Sequence, residues 1–326
     1  MVKKSGKTRQ KKSVATTVKP KSANNPRRLK QPKYKSLRLQ KRINHQAQLP
    51  SVYKITKQAV RTVWAHKKLF AELTVIYGLL NLLLVQGIGG STDTVGLKQS
   101  LDQVFSGQFG ALGSSLSVFA VLVGSAGNAT SQTAGAYQFF LALIVSLAIV
   151  WSLRQTTAGI TPLIRDAFYR GMYPLIPFLL VLIVIGLQLV PLLIGSTLYS
   201  LVINNAIAVV FIEKFLWALL FGLLALLTLY MLSSSLFALY IVTLPDMTPM
   251  KALRSARELV RYRRWTVLRK IMCLPIILLV AAAIVMLPII IWLTSSASWT
   301  FFILTMSSLL AIHTYMYTLY RELLNE

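Results

Sequence analysis

Residues 245–270 read PDMTPMKALRSARELVRYRRWTVLRK, and this stretch separates two long apolar runs. Thr248 followed by Pro249 predicts a helix start, because a hydroxyl can cap free backbone amides and proline fits the first helical position. Apolar residues then recur at helical spacing and predict one buried face, formed by Met250, Leu253, Ala256 and Val260. Most other positions are basic, namely Lys251, Arg254, Arg257, Arg261, Arg263 and Arg264. We expect an amphipathic helix at a charged, wet interface, with these cations contacting headgroups or a partner.

The composition is that of a membrane protein rather than of a soluble domain. Hydrophobic residues make up 55% of the 326 residues and charged residues only 13%, whereas about 25% are charged in soluble domains. The 35 basic residues outnumber the 9 acidic ones, and 21 of the basic residues precede residue 69. The single cysteine excludes an internal disulfide, and the three histidines are too scattered to suggest a set of metal ligands.

Six apolar runs are long enough to cross a bilayer as helices, which takes about 20 residues. They cover approximately residues 69–88, 136–153, 175–198, 216–244, 273–293 and 301–320. Residues 111–126 are also apolar but shorter and interrupted by glycine and serine, so we expect a surface-lying or re-entrant segment there. Basic residues concentrate in the alternate loops 154–172 and 245–272, while the opposite loops contain only Lys98 and Lys214. This pattern predicts that both chain ends are cytoplasmic.

Basic amphipathic segments also precede the other two pairs of apolar runs. The segment before the first pair has a predicted apolar face formed by Val52, Ile55, Ala59, Val60 and Val63. In the segment before the second pair, Leu163, Ala167 and Phe168 are predicted to lie together. Arg165 and Arg170 would then point towards the headgroups.

The chain therefore divides into a tail and a membrane domain. The membrane domain, residues 49–326, is predicted to be an all-α bundle of six spans. It consists of three helical hairpins, each preceded by a basic amphipathic interfacial helix, at about 49–153, 154–244 and 245–326.

Residues 1–48 form a basic, polar segment that is predicted to be a disordered cytoplasmic tail. Such a composition cannot bury enough apolar surface to offset the conformational entropy lost on folding. Basic tails attract phosphate, whether in anionic lipid or in nucleic acid, and the sequence does not choose between these partners. Tyr34 is the only aromatic residue among the first 50, so the stacking platform of a dedicated single-strand binder is missing.

Few polar side chains fall within the apolar runs. Glu72 is expected to pair with Lys68 one helical turn away. Gln188 and His313 are expected to form hydrogen bonds between helices. A role of Glu72, Gln188 or His313 in ion or proton passage stays open as an alternative, because ionisable and polar groups in a bilayer are often functional.

Motifs for chemistry are missing from the sequence. There is no glycine-rich phosphate loop ending in lysine and serine or threonine, no pair of carboxylates in a soluble segment, and no nucleophile with an accompanying histidine and acid. We therefore expect a protein that is not an enzyme, with no cofactor and no metal.

One loop resembles a known family. The residues that carry the resemblance are Ala252, Ser255, Ala256, Leu259, Val260 and Trp265. They resemble the pattern A-L-x-x-S-x-x-L-V-x-x-x-x-W in the membrane domain found in front of some glycerophosphodiester phosphodiesterases, and in its stand-alone six-span bacterial relatives of unknown function. The resemblance implies a six-span domain in a bacterial cytoplasmic membrane. Because only residues 321–326 follow the last span, we expect no phosphodiesterase domain.

Three hypotheses for the function follow from these patterns. In the first, the protein is a non-enzymatic membrane module that engages anionic lipid headgroups or a membrane-protein partner. In the second, it is a transporter or permease subunit with a cavity between the hairpins. In the third, it is a factor associated with ribosomes or membrane insertion that acts through residues 1–48.

Overall fold

The computed structural model describes residues 50–86, 132–205, 207–293 and 296–324. The predicted tail, residues 1–48, and the predicted re-entrant segment, residues 111–126, lie outside this part. Within these four ranges the regular structure is entirely helical, and nine α-helices follow one another. They are α1 Val52–Ala65, α2 Lys67–Asn81, α3 Gln132–Thr157, α4 Ile164–Gly171, α5 Leu175–Asn204, α6 Phe211–Ile241, α7 Pro249–Val260, α8 Arg264–Trp292 and α9 Ala297–Leu324. A π-helical turn, Leu82–Gln86, extends α2.

Six of these helices are long and apolar enough to cross a membrane, namely α2, α3, α5, α6, α8 and α9. The predicted all-α class and the predicted six spans are therefore confirmed. The three shorter helices, α1, α4 and α7, each precede a pair of long ones. Consecutive long helices pack against each other within each pair, α2 on α3, α5 on α6 and α8 on α9.

The interior of the bundle is formed mainly by α3 and α9, which are its most buried long helices. α9 contacts α1, α2, α3, α6 and α8, so it is the element around which the others pack. Leu147 and Leu153 on α3 and Leu319 on α9 are almost completely buried. Burial of such large apolar side chains holds the long helices in one arrangement.

The α5–α6 pair packs through a glycine. A Cβ atom at Gly195 would lie only 3.1 Å from a methyl carbon of Leu224 and 3.2 Å from the ring of Phe221. Tyr199 stacks on the same Phe221 ring, with the centroids 5.9 Å apart. The outward faces of both helices carry many exposed leucine and isoleucine side chains, as helices solvated by hydrocarbon do.

The buried face of α7 differs in part from the predicted one. Ala256 and Val260 are buried as expected, but Met250 is 75% exposed and Leu253 is only half-buried. The face that packs against α6 is instead formed by Ala252, Ser255, Ala256, Leu259 and Val260. Small side chains allow the two helix backbones to approach closely, and hydrophobicity alone does not reveal this. These five residues are also five of the six that carry the family resemblance.

The start of α7 is where the sequence predicted it. Thr248 occupies the N-cap position and Pro249 the first helical position, but the threonine side chain forms no capping hydrogen bond.

The other two short helices show the same mixture of agreement and correction. In α1, Ile55 and Ala59 are buried as predicted, whereas Val60 is 58% exposed. In α4, Ala167 is buried but Leu163 is 72% exposed, because Leu163 is the N-cap residue and not part of the helical face. Hydrophobic periodicity therefore locates the three short helices and identifies only part of the face that each one buries.

Candidate functional site

A pocket of about 660 Å³ lies where α7 packs against α5 and α6, close to the first turn of α8. Three arginine side chains line it. Arg254 and Arg257 come from α7, and Arg264 is the first residue of α8. The pocket therefore combines the basic face of a short amphipathic helix and the first residue of α8 with the sides of two long apolar helices, α5 and α6.

Local structure explains how the three arginines converge. Arg254 and Arg257 are three residues apart on a helix, so their side chains lie on the same face. The opposite face of α7 is fixed against the bundle by its buried residues. Residues 261–263 form the turn between α7 and α8, and Arg264, the residue after this turn, also lines the pocket.

Arg264 is held in place by an aromatic ring. Its guanidinium carbon lies 4.4 Å from the centroid of the Tyr230 ring on α6, a cation–π contact of about 0.5–1 kcal/mol at an exposed site. Arg264 is half-buried, whereas Arg254 and Arg257 are exposed. One guanidinium group thus packs on an aromatic ring of the pocket wall, and the other two are exposed.

Deeper in the pocket the lining is polar but uncharged. Gln188 on α5 and Ser234 and Ser235 on α6 contribute to it. Both serine hydroxyls donate to the carbonyl of Met231, at 3.0 Å and 3.3 Å. The Oε1 atom of Gln188 is buried and has no hydrogen-bond partner within the described residues. The interhelical hydrogen bond expected of Gln188 is therefore not formed through this oxygen.

The remaining lining is apolar, and no acidic residue contributes to it within the described part of the chain. Val184, Met231 and Leu253 form much of this surface. Guanidinium groups recognise carboxylate and phosphate through pairs of parallel hydrogen bonds. A pocket with three such groups above an apolar wall suits a molecule that is anionic at one end and apolar at the other.

The other predicted contact residues lie away from this pocket. Arg261 Nη1 is 3.7 Å from Glu258 Oε1 on the previous turn, and neither Lys251 nor Arg263 lines the pocket. On α4, Arg165 and Arg170 are exposed, and Arg170 Nε lies 3.9 Å from Asp166 Oδ1. The structure thus brings together three of the eight predicted cations.

The three polar residues predicted within the spans are separate from one another. Glu72 is exposed and forms no ion pair with Lys68 in the part of the chain that the structure describes, so the expected pairing is wrong. His313 is buried, and its Nδ1 is hydrogen-bonded to the hydroxyl of Tyr240 at 3.0 Å. This bond joins α9 to α6, as expected.

The structure contains a second polar cluster, centred on Arg154, that the sequence did not indicate. This residue is only 5% exposed. Its Nη1 donates to the carbonyl of Thr243 at 2.6 Å, and its Nη2 donates to the carbonyl of Tyr240 at 2.8 Å and to Thr243 Oγ1 at 2.5 Å. The Tyr240 ring packs on those of Tyr317 and Tyr320, with centroids 6.2 Å and 6.1 Å apart.

Lys270 is a second buried cation that the sequence did not single out. Its Nζ donates to the backbone carbonyl of Pro50, and its own carbonyl accepts a hydrogen bond from the Tyr315 hydroxyl at 2.9 Å. Long basic side chains near helix ends usually extend to water. For that reason Arg154 and Lys270 counted only as loop charges in the sequence.

The described residues contain no group of three or more histidine, cysteine, aspartate or glutamate side chains that could hold a metal ion. No protein-family model matches this chain, and searches of curated proteins and of solved structures gave no match. The chemistry of the arginine pocket is therefore the basis on which a function is assigned.

Proposed function

We propose that this protein is a non-enzymatic membrane module that binds an anionic lipid headgroup with Arg254, Arg257 and Arg264. The observation that carries the proposal is the convergence of these three cations on one pocket. Three positive charges without a neighbouring carboxylate in the lining attract an anion strongly, and a partly enclosed site screens that attraction less than open water does.

The walls of the pocket favour a lipid over a soluble anion. Two of the helices that line the pocket, α5 and α6, are long enough to cross a membrane. α5 contributes Val184 and Gln188, and α6 contributes Tyr230 and Met231. A phospholipid places its phosphate at the membrane surface and its chains beside such helices. The arginines would hold the phosphate, and the apolar wall would contact the part of the lipid below it.

The proposal puts the pocket on the cytoplasmic side of a bacterial cytoplasmic membrane, with both chain ends cytoplasmic. The distribution of lysine and arginine among the loops supports this orientation. Anionic lipids give the cytoplasmic leaflet a negative surface potential, which attracts each nearby cation by about 1 kcal/mol. The 16 basic residues in positions 1–48 would add to that attraction.

The two other hypotheses have less support. A transport path would need a continuous polar cavity near Glu72, Gln188 or His313. Gln188 lines the arginine pocket, but neither Glu72 nor His313 does. His313 lines a separate apolar groove of about 340 Å³ between α6, α8 and α9. The ribosome hypothesis depends on residues 1–48, which lie outside the described part. A membrane-protein partner on the exposed cations of α4 and α7 remains compatible with lipid binding.

The test uses the full-length protein in a neutral detergent. Increasing amounts of an anionic or a zwitterionic phospholipid with identical acyl chains are added, and bound lipids are counted by native mass spectrometry. The pocket variant carries Arg254→Gln, Arg257→Gln and Arg264→Gln. The matched control carries Arg165→Gln, Arg170→Gln and Arg261→Gln, which removes the same charge outside the pocket.

We expect saturable binding of the anionic lipid to the wild type and to the control variant. The pocket variant should bind more than about tenfold more weakly, because each lost guanidinium–phosphate contact removes a charge-assisted hydrogen bond. Equal affinity for the two lipids in the wild type, or equal losses in the two variants, would show that the pocket is not a headgroup site.

A further inference from the structure

The charge and the geometry of the pocket restrict which phosphate it suits. A phosphodiester headgroup such as that of phosphatidylglycerol carries one negative charge and two terminal oxygens. A phosphomonoester carries a charge of about −1.5 to −2 at pH 7 and has three terminal oxygens that accept hydrogen bonds. The two types of lipid therefore differ in both of the properties that an arginine site can recognise.

The pocket presents three guanidinium groups from two helices. Arg254 and Arg257 reach it from α7 on one face, and Arg264 reaches it from α8 while packed on the Tyr230 ring. A terminal phosphate oxygen can accept more than one hydrogen bond, so either type of phosphate can contact all three guanidinium groups. A monoester offers one more terminal oxygen and a larger negative charge, so it can form more of the charge-assisted hydrogen bonds that guanidinium groups make.

The one acidic side chain of α7 does not line the pocket. Glu258 is not among the lining residues, and its carboxylate lies 3.7 Å from Arg261. The lining itself therefore carries three positive charges and no negative one. A dianion balances most of that charge, and a monoanion leaves about two charges uncompensated.

We propose, resting on headgroup binding as the function, that the pocket binds one lipid whose headgroup is a terminal phosphate monoester, in preference to phosphodiester lipids. Phosphatidic acid has this chemistry. The apolar lining formed by Val184, Met231 and Leu253 favours a lipid over free phosphate as the ligand. Free phosphate has no apolar part that could cover this surface.

The pH dependence of binding distinguishes the two phosphate classes. The second ionisation of a phosphate monoester has a pKa of about 6, so lowering the pH from 7.5 to 5 removes most of its second charge. The only charged or titratable side chains that line the pocket, in the residues described, are the three arginines and Tyr230. None of these residue types ordinarily changes charge in that range. The pH effect would therefore come from the ligand.

The experiment measures binding of phosphatidic acid and of phosphatidylglycerol with the same acyl chains to the full-length protein in neutral-lipid nanodiscs. Each lipid is titrated at pH 7.5 and at pH 5, with the wild type and with the triple Arg→Gln pocket variant. A third series adds 10 mM inorganic phosphate as a competitor.

At pH 7.5 we expect phosphatidic acid to bind about fivefold or more tightly than phosphatidylglycerol, the equivalent of one additional hydrogen bond. This preference should disappear at pH 5 and in the pocket variant. Inorganic phosphate should not displace the lipid. Displacement by 10 mM phosphate would instead identify the ligand as a soluble phosphate and overturn the assignment to a lipid.

Equal affinities for the two lipids at both pH values, together with weaker binding by the pocket variant, would overturn the monoester preference and leave headgroup binding intact. Binding of both lipids that the pocket variant does not weaken would overturn the proposed function itself. The two failures are therefore distinguishable.

Discussion

The guanidinium group of Arg154 donates a hydrogen bond of 2.8 Å to the backbone carbonyl of Tyr240, 86 residues further along the chain. The same side chain bonds to the carbonyl and to the hydroxyl of Thr243. The last carbonyl groups of a helix lack partners within that helix, and a cation is favoured there. Arg154 thus joins the end of α3 to the end of α6, just before the turn that leads into α7 and the arginine pocket.

Replacement of Arg154 by glutamine should destabilise the protein strongly. Loss of the guanidinium group removes the donor to the carbonyl and the hydroxyl of the partly buried Thr243. It also removes one of two donors to the buried Tyr240 carbonyl, which keeps the bond from the Thr243 hydroxyl. We expect the free energy of unfolding to fall by about 2–4 kcal/mol. Arg154→Lys should recover only part of this loss, because an ammonium group lacks the planar arrangement of several N–H donors that a guanidinium group has. The measurement is unfolding by increasing mole fractions of SDS in mixed micelles.

The control for this prediction is Arg165→Gln, which changes an exposed arginine on α4. Its effect should stay within about 0.5 kcal/mol. A loss at Arg154 as small as the loss at Arg165 would contradict a stabilising role of the buried hydrogen bonds.

A glycine contact between α4 and α3 gives a second prediction. A Cβ atom at Gly171 would lie 3.2 Å from both Ala148 Cα and the Leu147 carbonyl oxygen. Because these are backbone atoms, they cannot move aside cheaply, and Gly171→Ala should cost about 1–3 kcal/mol.

Gly186 on α5 provides the matched comparison, since a Cβ atom there would meet nothing within 4 Å. Gly186→Ala should be neutral or slightly stabilising, because alanine is the better helix former. Both variants are compared by the same SDS titration. Equal effects at the two positions would mean that the close approach of α4 to α3 does not exist in the membrane.

The hydrogen bond between Tyr240 and His313 can be isolated by a double-mutant cycle. Tyr240→Phe removes only the hydroxyl, His313→Leu removes the ring nitrogen that is bonded to it, and the double variant removes both. We expect a coupling energy of about 0.6 kcal/mol and at most about 1.7 kcal/mol, the range for such bonds within membranes. Additive effects of the two substitutions would show that the bond contributes nothing to stability.

The number and position of the spans could be predicted because bilayer thickness sets the length of each apolar run directly. The runs at 175–198 and 301–320 correspond to helices Leu175–Asn204 and Ala297–Leu324. The real helices are longer at their ends, since helical hydrogen bonding continues into polar residues beyond the hydrocarbon. Arg321, for example, lies in the last turn of α9.

The contents of the candidate site could be predicted only in part. Basic residues on an amphipathic helix are visible in the sequence, and the spacing of Arg254 and Arg257 places them on one face. The return of Arg264 to that face depends on the turn between α7 and α8 and on the Tyr230 ring. The burial of Arg154 depends on acceptors at Tyr240 and Thr243, which are distant in sequence. No local pattern contains that information.

The orientation of the protein in the membrane gives a last prediction, which uses single cysteines. Cys273→Ser removes the natural thiol, and either Lys214→Cys or Lys251→Cys then introduces one at an exposed position. Lys214 lies in the first turn of α6, and Lys251 follows that helix in α7. An α-helix of 31 residues is about 46 Å long at 1.5 Å per residue, enough to separate the two membrane faces.

A membrane-impermeant maleimide should therefore label Lys214→Cys in intact cells and Lys251→Cys only after permeabilisation. Both variants should react fully once unfolded in SDS, which controls for thiol reactivity. The reverse pattern would put the arginine pocket on the outer face, where the negative potential of the cytoplasmic leaflet could not assist headgroup binding.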